Sequence, residues 1–389
     1  MKHLAVLLIL ATTSTSVADS SDAVVTGKLG KGIDFTSRDK SWRFNLRARM
    51  QLRFTQFSQG DGDAPEVTEI QARRIRLLVS GHVMGGDLQY YLQLGFSNGD
   101  TEPDLRLPLR DAYLTYTKVR DLNVRFGQMK VPFGRQRVTS SSALQMVDRS
   151  IVVGELNLDR DTGIQVLSED LFGLGGRLAY NAGVFAGDGR NRLATAPGIM
   201  VVGRIAVRPF GAFDDMVESD LERSPDPKLS LAVAAAHNNN TNRQRSTFNT
   251  PYTFARFDYT HLTADAVFKF RGLSLLGEVI YRKASRAFVE QTTPAGDVER
   301  EESRNAWGYF AQAGYLATRK LEVTARFGEL RPRGATTVDL AEKHREAGGG
   351  INWYFEKHDL KLQSDYFYLF GPEVGDGRHQ VRVQMQLYF

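Results

Sequence analysis

From Trp42 to Phe54 the chain alternates without a break. Trp42, Phe44, Leu46, Ala48, Met50, Leu52 and Phe54 are apolar, while Arg43, Asn45, Arg47, Arg49, Gln51 and Arg53 are polar. A period of two is the mark of a β-strand with one greasy and one wet face. Soluble strands usually run to about five or six residues. This one is longer, and a strand tilted across a bilayer needs about nine to eleven. An Arg on the lipid face costs about 2–4 kcal/mol, so four of them there would cost roughly 8–16 kcal/mol. The guanidinium groups are therefore predicted to face water inside a closed barrel. A soluble sandwich strand with a solvated charged face is the competing reading.

The rest of the chain repeats the pattern. Ile75, Leu77, Val79 and Val83 alternate with Arg74, Arg76, Ser80 and His82. Further alternating runs start at Leu88, Asp111 and Leu122, and lie near 161–169, 175–186, 199–208, 228–237, 257–270, 272–284, 305–317, 320–330, 347–356, 358–370 and 379–389. That makes about sixteen strands, an even number as a closed bacterial barrel requires. Tight turns at 84–87, 118–121, 270–272, 317–320 and 356–359 alternate with long polar segments at 55–69, 128–160, 238–255, 285–304 and 331–346. Residues 209–227, with Pro209, Pro225, Pro227 and several acids, break the short-turn series and predict a longer periplasmic excursion. The expected fold is all-β: a closed antiparallel transmembrane barrel, with short periplasmic turns, long extracellular loops and a third loop folded inward. The last strand, from Val381 to Phe389, ends on an aromatic residue and resembles the assembly signal of outer-membrane barrels.

Targeting fits that fold. Lys2 and His3, the apolar run Leu4 to Ala11 and the small residues Ser16 and Ala18 predict an export signal over 1–18, cleaved after Ala18. Residues 19–41 are polar and Gly-rich and read as a periplasmic lead-in with room for a short strand, so the barrel is expected over 42–389. The 389 residues include no Cys, and no stretch approaches the eighteen apolar residues of a spanning helix. These features predict the outer membrane of a Gram-negative bacterium, in contact with its lipid and lipopolysaccharide. The formal charge of +5 comes from 50 basic and 45 acidic residues, too even a balance to imply nucleic acid.

Function then depends on what narrows and lines the bore. Rings of Arg and Lys favour anions, and the planar guanidinium fork suits phosphate. Arg43, Arg47, Arg49 and Arg53 would stand beside Arg73, Arg74 and Arg76 on the next strand. Arg73 and Arg74 are consecutive, so either the strand is bulged there or Arg73 lies at the rim. The competing role for these groups is to pair with luminal acids, with Asp111, Asp265, Glu278 and Asp365 as partners. That role is preferred for Arg282, Arg326 and Arg382. Loop 128–160 is long enough to be functional. Val131-Pro-Phe133 and Ala143-Leu-Gln-Met-Val147 give it apolar anchors for infolding, which would bring Lys130, Arg135, Arg137 and Arg149 to a passing ion. No cofactor or metal is expected: seven His are scattered without HExxH spacing, there is no GxSxG, and His237 and His261 lack a convincing Ser partner. Gly348-Gly-Gly350 reads as a close strand approach, and Asp61-Gly-Asp63 as a hydrophilic turn.

Taken together, Gly127-Gln-Met-Lys-Val-Pro-Phe133, Arg110-Asp-Ala-Tyr-Leu-Thr-Tyr116, Arg73-Arg74, Asp161-Thr-Gly-Ile-Gln165, Arg204 with Arg208-Pro209, and Asn352-Trp-Tyr354 resemble the phosphate-selective porin O and P family. The likeness runs in order along nearly the whole mature chain. It implies a trimeric sixteen-stranded barrel that binds phosphate-like inorganic anions at an inward third loop. By matching motif, Arg73, Arg74 and Lys130 would be the central anion contacts, joined by Arg47 or Arg49, with Asp111 as a counter-charge. The lead-in before Trp42 lacks the heptads that some members carry. The expected activity is passive anion conduction. A general diffusion pore is the alternative within the fold, and a barrel hydrolase or adhesin the alternative outside it.

Overall fold

The computed structural model describes residues 23–59, 66–102, 105–192, 198–334, 340, 344–371 and 377–389. The expected export signal and Asp61-Gly-Asp63 lie outside the described residues. Chain order is β1 (Ala23–Lys28), β2 (Gly32–Ser37), β3 (Arg43–Gln59), β4 (Val67–Val83), β5 (Leu88–Gly95), β6 (Leu109–Tyr116) and β7 (Asn123–Lys130). The short helices α1 (Arg135–Val138) and α2 (Ile151–Leu156) follow, then β8 (Arg160–Ser168), β9 (Leu178–Phe185), β10 (Met200–Val207), β11 (Lys228–Thr241), β12 (Phe257–Phe270) and β13 (Leu273–Ala284). An outer hairpin, β14 (Phe288–Thr292) with β15 (Val298–Glu302), precedes β16 (Ala306–Leu316), β17 (Leu321–Pro332), β18 (Arg345–Glu356), β19 (Leu360–Phe370) and β20 (Arg378–Tyr388).

Each wall strand pairs antiparallel with the next, and β20 returns to β3 from Arg378↔Gln59 to Tyr388↔Arg49, closing a sixteen-stranded barrel. Closure leaves no sheet edge for lipid to meet. Phe389 completes the seam by exchanging backbone hydrogen bonds with Ala48, both at 2.8 Å. Alternation sorts the faces as the pattern demands: Met50, Leu52 and Phe54 lie open on the outer wall, while Arg49, Gln51 and Arg53 are buried inside. The same holds on β11, where Leu231 and Val233 face out and Ala232, Ala234 and Ala236 face in. At Gly348 and Gly350 an added Cβ would lie 2.1 Å from the Tyr366 carbonyl oxygen and 2.5 Å from that of Ser364, the close strand approach expected of the triplet.

Two boundaries differ from expectation. The polar stretch 55–69 is not all loop, because β3 runs on to Gln59 and β4 begins at Val67. Beyond the bilayer a strand needs no apolar face, so its alternation disappears while its ladder continues. The lead-in is more ordered than its composition suggested: β1 and β2 form a hairpin, and β2 pairs with the start of β3 through Ile33↔Leu46 and Phe35↔Phe44.

Residues 131–159 fold into the bore. Val131, Phe133, Leu144, Met146 and Val147 are almost fully buried. A loop inside a barrel must still satisfy its backbone, and polar side chains of the wall do this here. Gln51 donates to the Ser141 carbonyl at 3.2 Å, Gln386 to Ser142 at 3.1 Å, Lys361 to Leu144 at 2.8 Å and Asn352 to Gln145 at 2.8 Å. The Val147 N–H donates to Asp365 at 2.9 Å. The small wall residue Gly314 makes room, since a Cβ there would stand 2.0 Å from the Gln145 amide nitrogen.

The 209–227 excursion also turns inward. Asp215, Glu218, Ser219 and Asp220 are buried. Glu218 accepts from the Gln145 N–H at 2.8 Å and from the Gln136 amide at 3.1 Å, and Ser219 donates to Glu322 at 3.0 Å. Loop and excursion thus interlock from opposite ends of the barrel. Around them Val152, Val153, Leu156, Phe185, Met200, Ile280 and Phe310 form an apolar core inside the bore.

Candidate functional site

That core fills one side of the lumen. On the other, a cavity of about 400 Å³ lies between the loop and the strands β4 to β8. A smaller one, about 280 Å³, shares Tyr91, Tyr113 and Arg125 with it and continues past His82, Gln89 and Arg43 at the turn end. Among the described residues, ten basic side chains line the larger cavity: Arg73, Arg74, Arg76, Arg110, Arg125, Lys130, Arg137, Arg149, Arg160 and Arg190. Three acids among the described residues, Glu102, Asp111 and Asp159, oppose them.

Strand geometry explains why both Arg73 and Arg74 reach this space. Gln51 pairs with Arg74 and Leu52 with Ala72, so Arg73 is an extra residue in the ladder. The bulge settles the alternative the sequence left open. Arg74 donates to Gln51 at 2.9 Å and meets Asp148 of the loop at 3.2 Å; Arg73 donates to the Gly99 carbonyl at 3.1 Å and stands 3.6 Å from the same Asp148. Deleting Arg73 is therefore expected to leave the pairing on both sides in register. A heat-modifiable, fully folded barrel should result, with weaker anion preference in salt-gradient recordings. Loss of the folded band would mean the strand needs the extra residue.

The other expected residues divide. Lys130 donates to the Val138 carbonyl at 2.6 Å and to Thr139 at 3.3 Å, so its ammonium both faces the cavity and ties down the loop. Asp111 holds Arg160 through two hydrogen bonds of 3.0 and 2.9 Å. Arg137 pairs with Asp159. Arg149 donates to the carbonyls of Gln136 at 2.8 Å and Thr139 at 2.7 Å. Burial and the nearby Arg137 push the Arg149 guanidinium down to about 9, which leaves it charged at neutral pH. Arg49 lies beneath Ser140, to which it donates at 3.2 Å, and Arg47 leans on the Tyr388 ring; neither lines the larger cavity.

Arg135 is a correction. It is buried against the far wall, 2.5 Å from Asp265 and 3.1 Å from Asp215, and faces no passing ion. The bases expected to be structural are so: Arg282 pairs with Glu155 at 2.6 Å, Arg326 with Glu346 at 3.1 Å and Arg382 with Asp365 at 2.7 Å. His261 does have a Ser partner, Ser246 at 3.0 Å. Both are fully buried and the other ring nitrogen is unpaired, so the contact is a packing one.

Sequence reading missed three features. Asp148 collects Arg53, Arg73 and Arg74. Asp100 receives Arg76 at 2.5 Å and Arg110 at 3.4 Å. Tyr91 and Tyr113 stack with centroids 5.2 Å apart, and Arg125 lies 4.6 Å over Tyr113. For Asp148, burial alone would raise the carboxyl; Arg53, Arg74 and Arg73 outweigh it and hold the group well below the usual carboxylate range.

A closed sixteen-stranded barrel whose bore narrows to a cavity lined by basic side chains is an outer-membrane porin. The chain belongs to the phosphate-selective porin O and P family, whose model matches residues 44–389. It is 24% identical to Porin O of Pseudomonas aeruginosa over 374 residues, which cover 90% of this chain and 80% of that protein. Among solved structures it resembles an anion-selective porin from Comamonas acidovorans, with TM-score 0.58, 15% identity, and 90% of this chain and 100% of that one covered. It also resembles Salmonella typhi OmpF in complex with daunomycin, with TM-score 0.59, 14% identity, and 90% and 98% covered. These two likenesses carry the fold.

Proposed function

We propose that this porin passes anions without energy input and prefers phosphate and related oxyanions. The observation that carries the proposal is the imbalance of ten basic to three acidic groups around a cavity of about 400 Å³. Fixed cations and N–H donors replace the hydration an anion loses on entering so narrow a space. Low-dielectric walls focus the field of those groups into the bore and raise the local concentration of anions. Arg73, Arg74 and Lys130 are the proposed central contacts, with Arg76, Arg137 and Arg149 beside them. Asp111 fixes the position of Arg160. Membership of the phosphate-selective porin O and P family and the likeness to the anion-selective porin from Comamonas acidovorans support the same reading.

The proposal extends to the rest of the molecule. Residues 1–18 are an export signal, the β1–β2 hairpin lies on the periplasmic side, residues 131–159 are the constriction, and the working unit is a homotrimer whose long loops meet lipopolysaccharide. One observation favours general diffusion instead: Asp148, Asp100, Asp111 and Asp159 neutralise much of the cationic lining. Salt-gradient reversal potentials on purified protein distinguish the two readings. The anion reading expects a potential of the chloride sign and a chloride current that phosphate blocks. A potential near zero would assign a general pore, and no steady conductance would leave the barrel to a catalytic or adhesive role.

A further inference from the structure

Arg53, Arg73 and Arg74 come from two neighbouring wall strands and converge on one carboxylate that belongs to the infolded loop. Asp148 Oδ2 lies 2.8 Å from Arg53 Nη1 and 3.6 Å from Arg73 Nη2. Its Oδ1 lies 3.2 Å from Arg74 Nη2 and accepts from the Arg149 backbone N–H at 3.0 Å. The guanidinium groups are themselves held: Arg53 Nη2 donates to the Val147 carbonyl and to Gln384, both at 2.9 Å, and Arg74 Nη1 to Gln51. Three fixed guanidiniums and a backbone N–H around two oxygens are the donor set an oxyanion receives at a binding site. The Arg382 guanidinium nearby is taken by Asp365. Asp148 keeps 20% of its side chain exposed to solvent and Arg73 keeps 23%, and Arg73 and Arg74 both line the cavity.

We infer that Asp148 is a tethered occupant of an oxyanion site formed by Arg53, Arg73 and Arg74, and that it decides which anions the passage retains. The inference rests on the reading of the bore as an anion passage and names what sets its selectivity. A carboxylate on a short tether competes at an effective concentration on the order of millimolar. A halide brings one charge and no pair of oxygens to match the guanidinium forks, so it passes without displacing Asp148. A phosphate dianion or a pyrophosphate brings more charge and several acceptor oxygens, and it displaces the carboxylate to use all three forks. The site therefore filters by valence and shape, and it remains cationic with Asp148 seated, three guanidiniums facing one carboxylate.

The experiment is block of single-channel chloride current by inorganic phosphate and by pyrophosphate, in wild-type protein, Asp148→Asn and Asp148→Glu. Asparagine keeps the shape and removes the competing charge. Asp148→Asn is expected to bind phosphate about tenfold tighter, the scale of removing a competitor held at roughly ten times its own dissociation constant. Asp148→Glu still fills the site and should stay within about twofold of wild type on the same argument. A carboxylate that only clips the loop in place would give weaker block in Asp148→Asn, and that result, or unchanged block, overturns the inference. If Asp148→Asn unseats the loop, seen as a larger unit conductance, Asp148→Glu decides: tighter block there overturns the inference and wild-type block upholds it. Wild-type protein that phosphate does not block at all refutes the anion reading itself, whereas block in wild type without a gain in Asp148→Asn refutes only the role of Asp148.

Discussion

Replacing Arg73, Arg74 and Lys130 together by glutamate is expected to abolish the anion preference and carry the salt-gradient reversal potential to zero or across it. The lining of the larger cavity would change from ten basic and three acidic groups to seven and six. Asp148 would lose two of the three guanidiniums that now neutralise it, and its charge would add to the acidic side. Lys130 has a second duty, since its ammonium donates to the Val138 and Thr139 carbonyls of the loop and a glutamate there cannot. The neutral triple variant to glutamine separates the two effects. It should reduce the anion preference without reversing it, and any rise in unit conductance it shows belongs to the loop. A glutamate variant that keeps the wild-type reversal potential would mean that selectivity is set elsewhere, for instance by Arg110, Arg160 and Arg190.

The wall was legible in the sequence because lipid and water impose opposite demands on alternate residues. Trp42 to Phe54 carries that contrast at every position, whereas β10, β11 and β13 carry it only in part, because Met200, Val202, Ala234, Ala236, Leu276 and Ile280 face the apolar core inside the bore. The pattern ends where the lipid ends, so Thr55 to Ser58 read as loop although they continue β3. The infolding of residues 131–159 was legible too, because Val131, Phe133, Leu144 and Met146 had nowhere else to bury apolar surface. Where the loop's charges go was not. Arg135 and Arg137 stand two apart on α1, about 200° around a helix, so one faces the far wall and the other the passage. Nothing in their spacing says which. The bulge at Arg73 left only an ambiguity, since two consecutive cations break alternation in the same way at a rim. The inward course of 209–227 was hidden because Asp215 and Glu218 look like solvated acids until the loop residues Arg135, Gln136 and Gln145 are found opposite them. Burying a carboxylate requires a partner, and partners far apart in the chain leave no local trace.

Arg135→Ala is expected to free the constriction while leaving the barrel intact. Arg135 joins three bodies: Asp265 of β12 at 2.5 Å, Ser230 of β11 at 2.8 Å and Asp215 of the inward 209–227 segment at 3.1 Å. Removing one partner of a buried pair costs about 3–5 kcal/mol, and the lower end applies here. Asp265 keeps Arg204 at 2.7 Å, and Asp215 keeps Arg208 at 3.0 Å. A loss of about 3 kcal/mol raises the population of a displaced loop roughly a hundredfold. The sixteen-stranded ladder does not depend on the pair, so the heat-modifiable band should persist. Unit conductance should rise and fluctuate, anion preference should fall, and the loop should become open to protease in the folded protein. Arg137→Ala is the contrast. Its partner Asp159 keeps Arg160 at 3.1 Å and its side chain is 20% exposed, so the loop should stay seated and only selectivity should weaken. Equal conductance in Arg135→Ala and wild type would show that wall amides and buried apolar side chains hold the loop without the ion pair, and that the interlock with 209–227 is incidental to the pore.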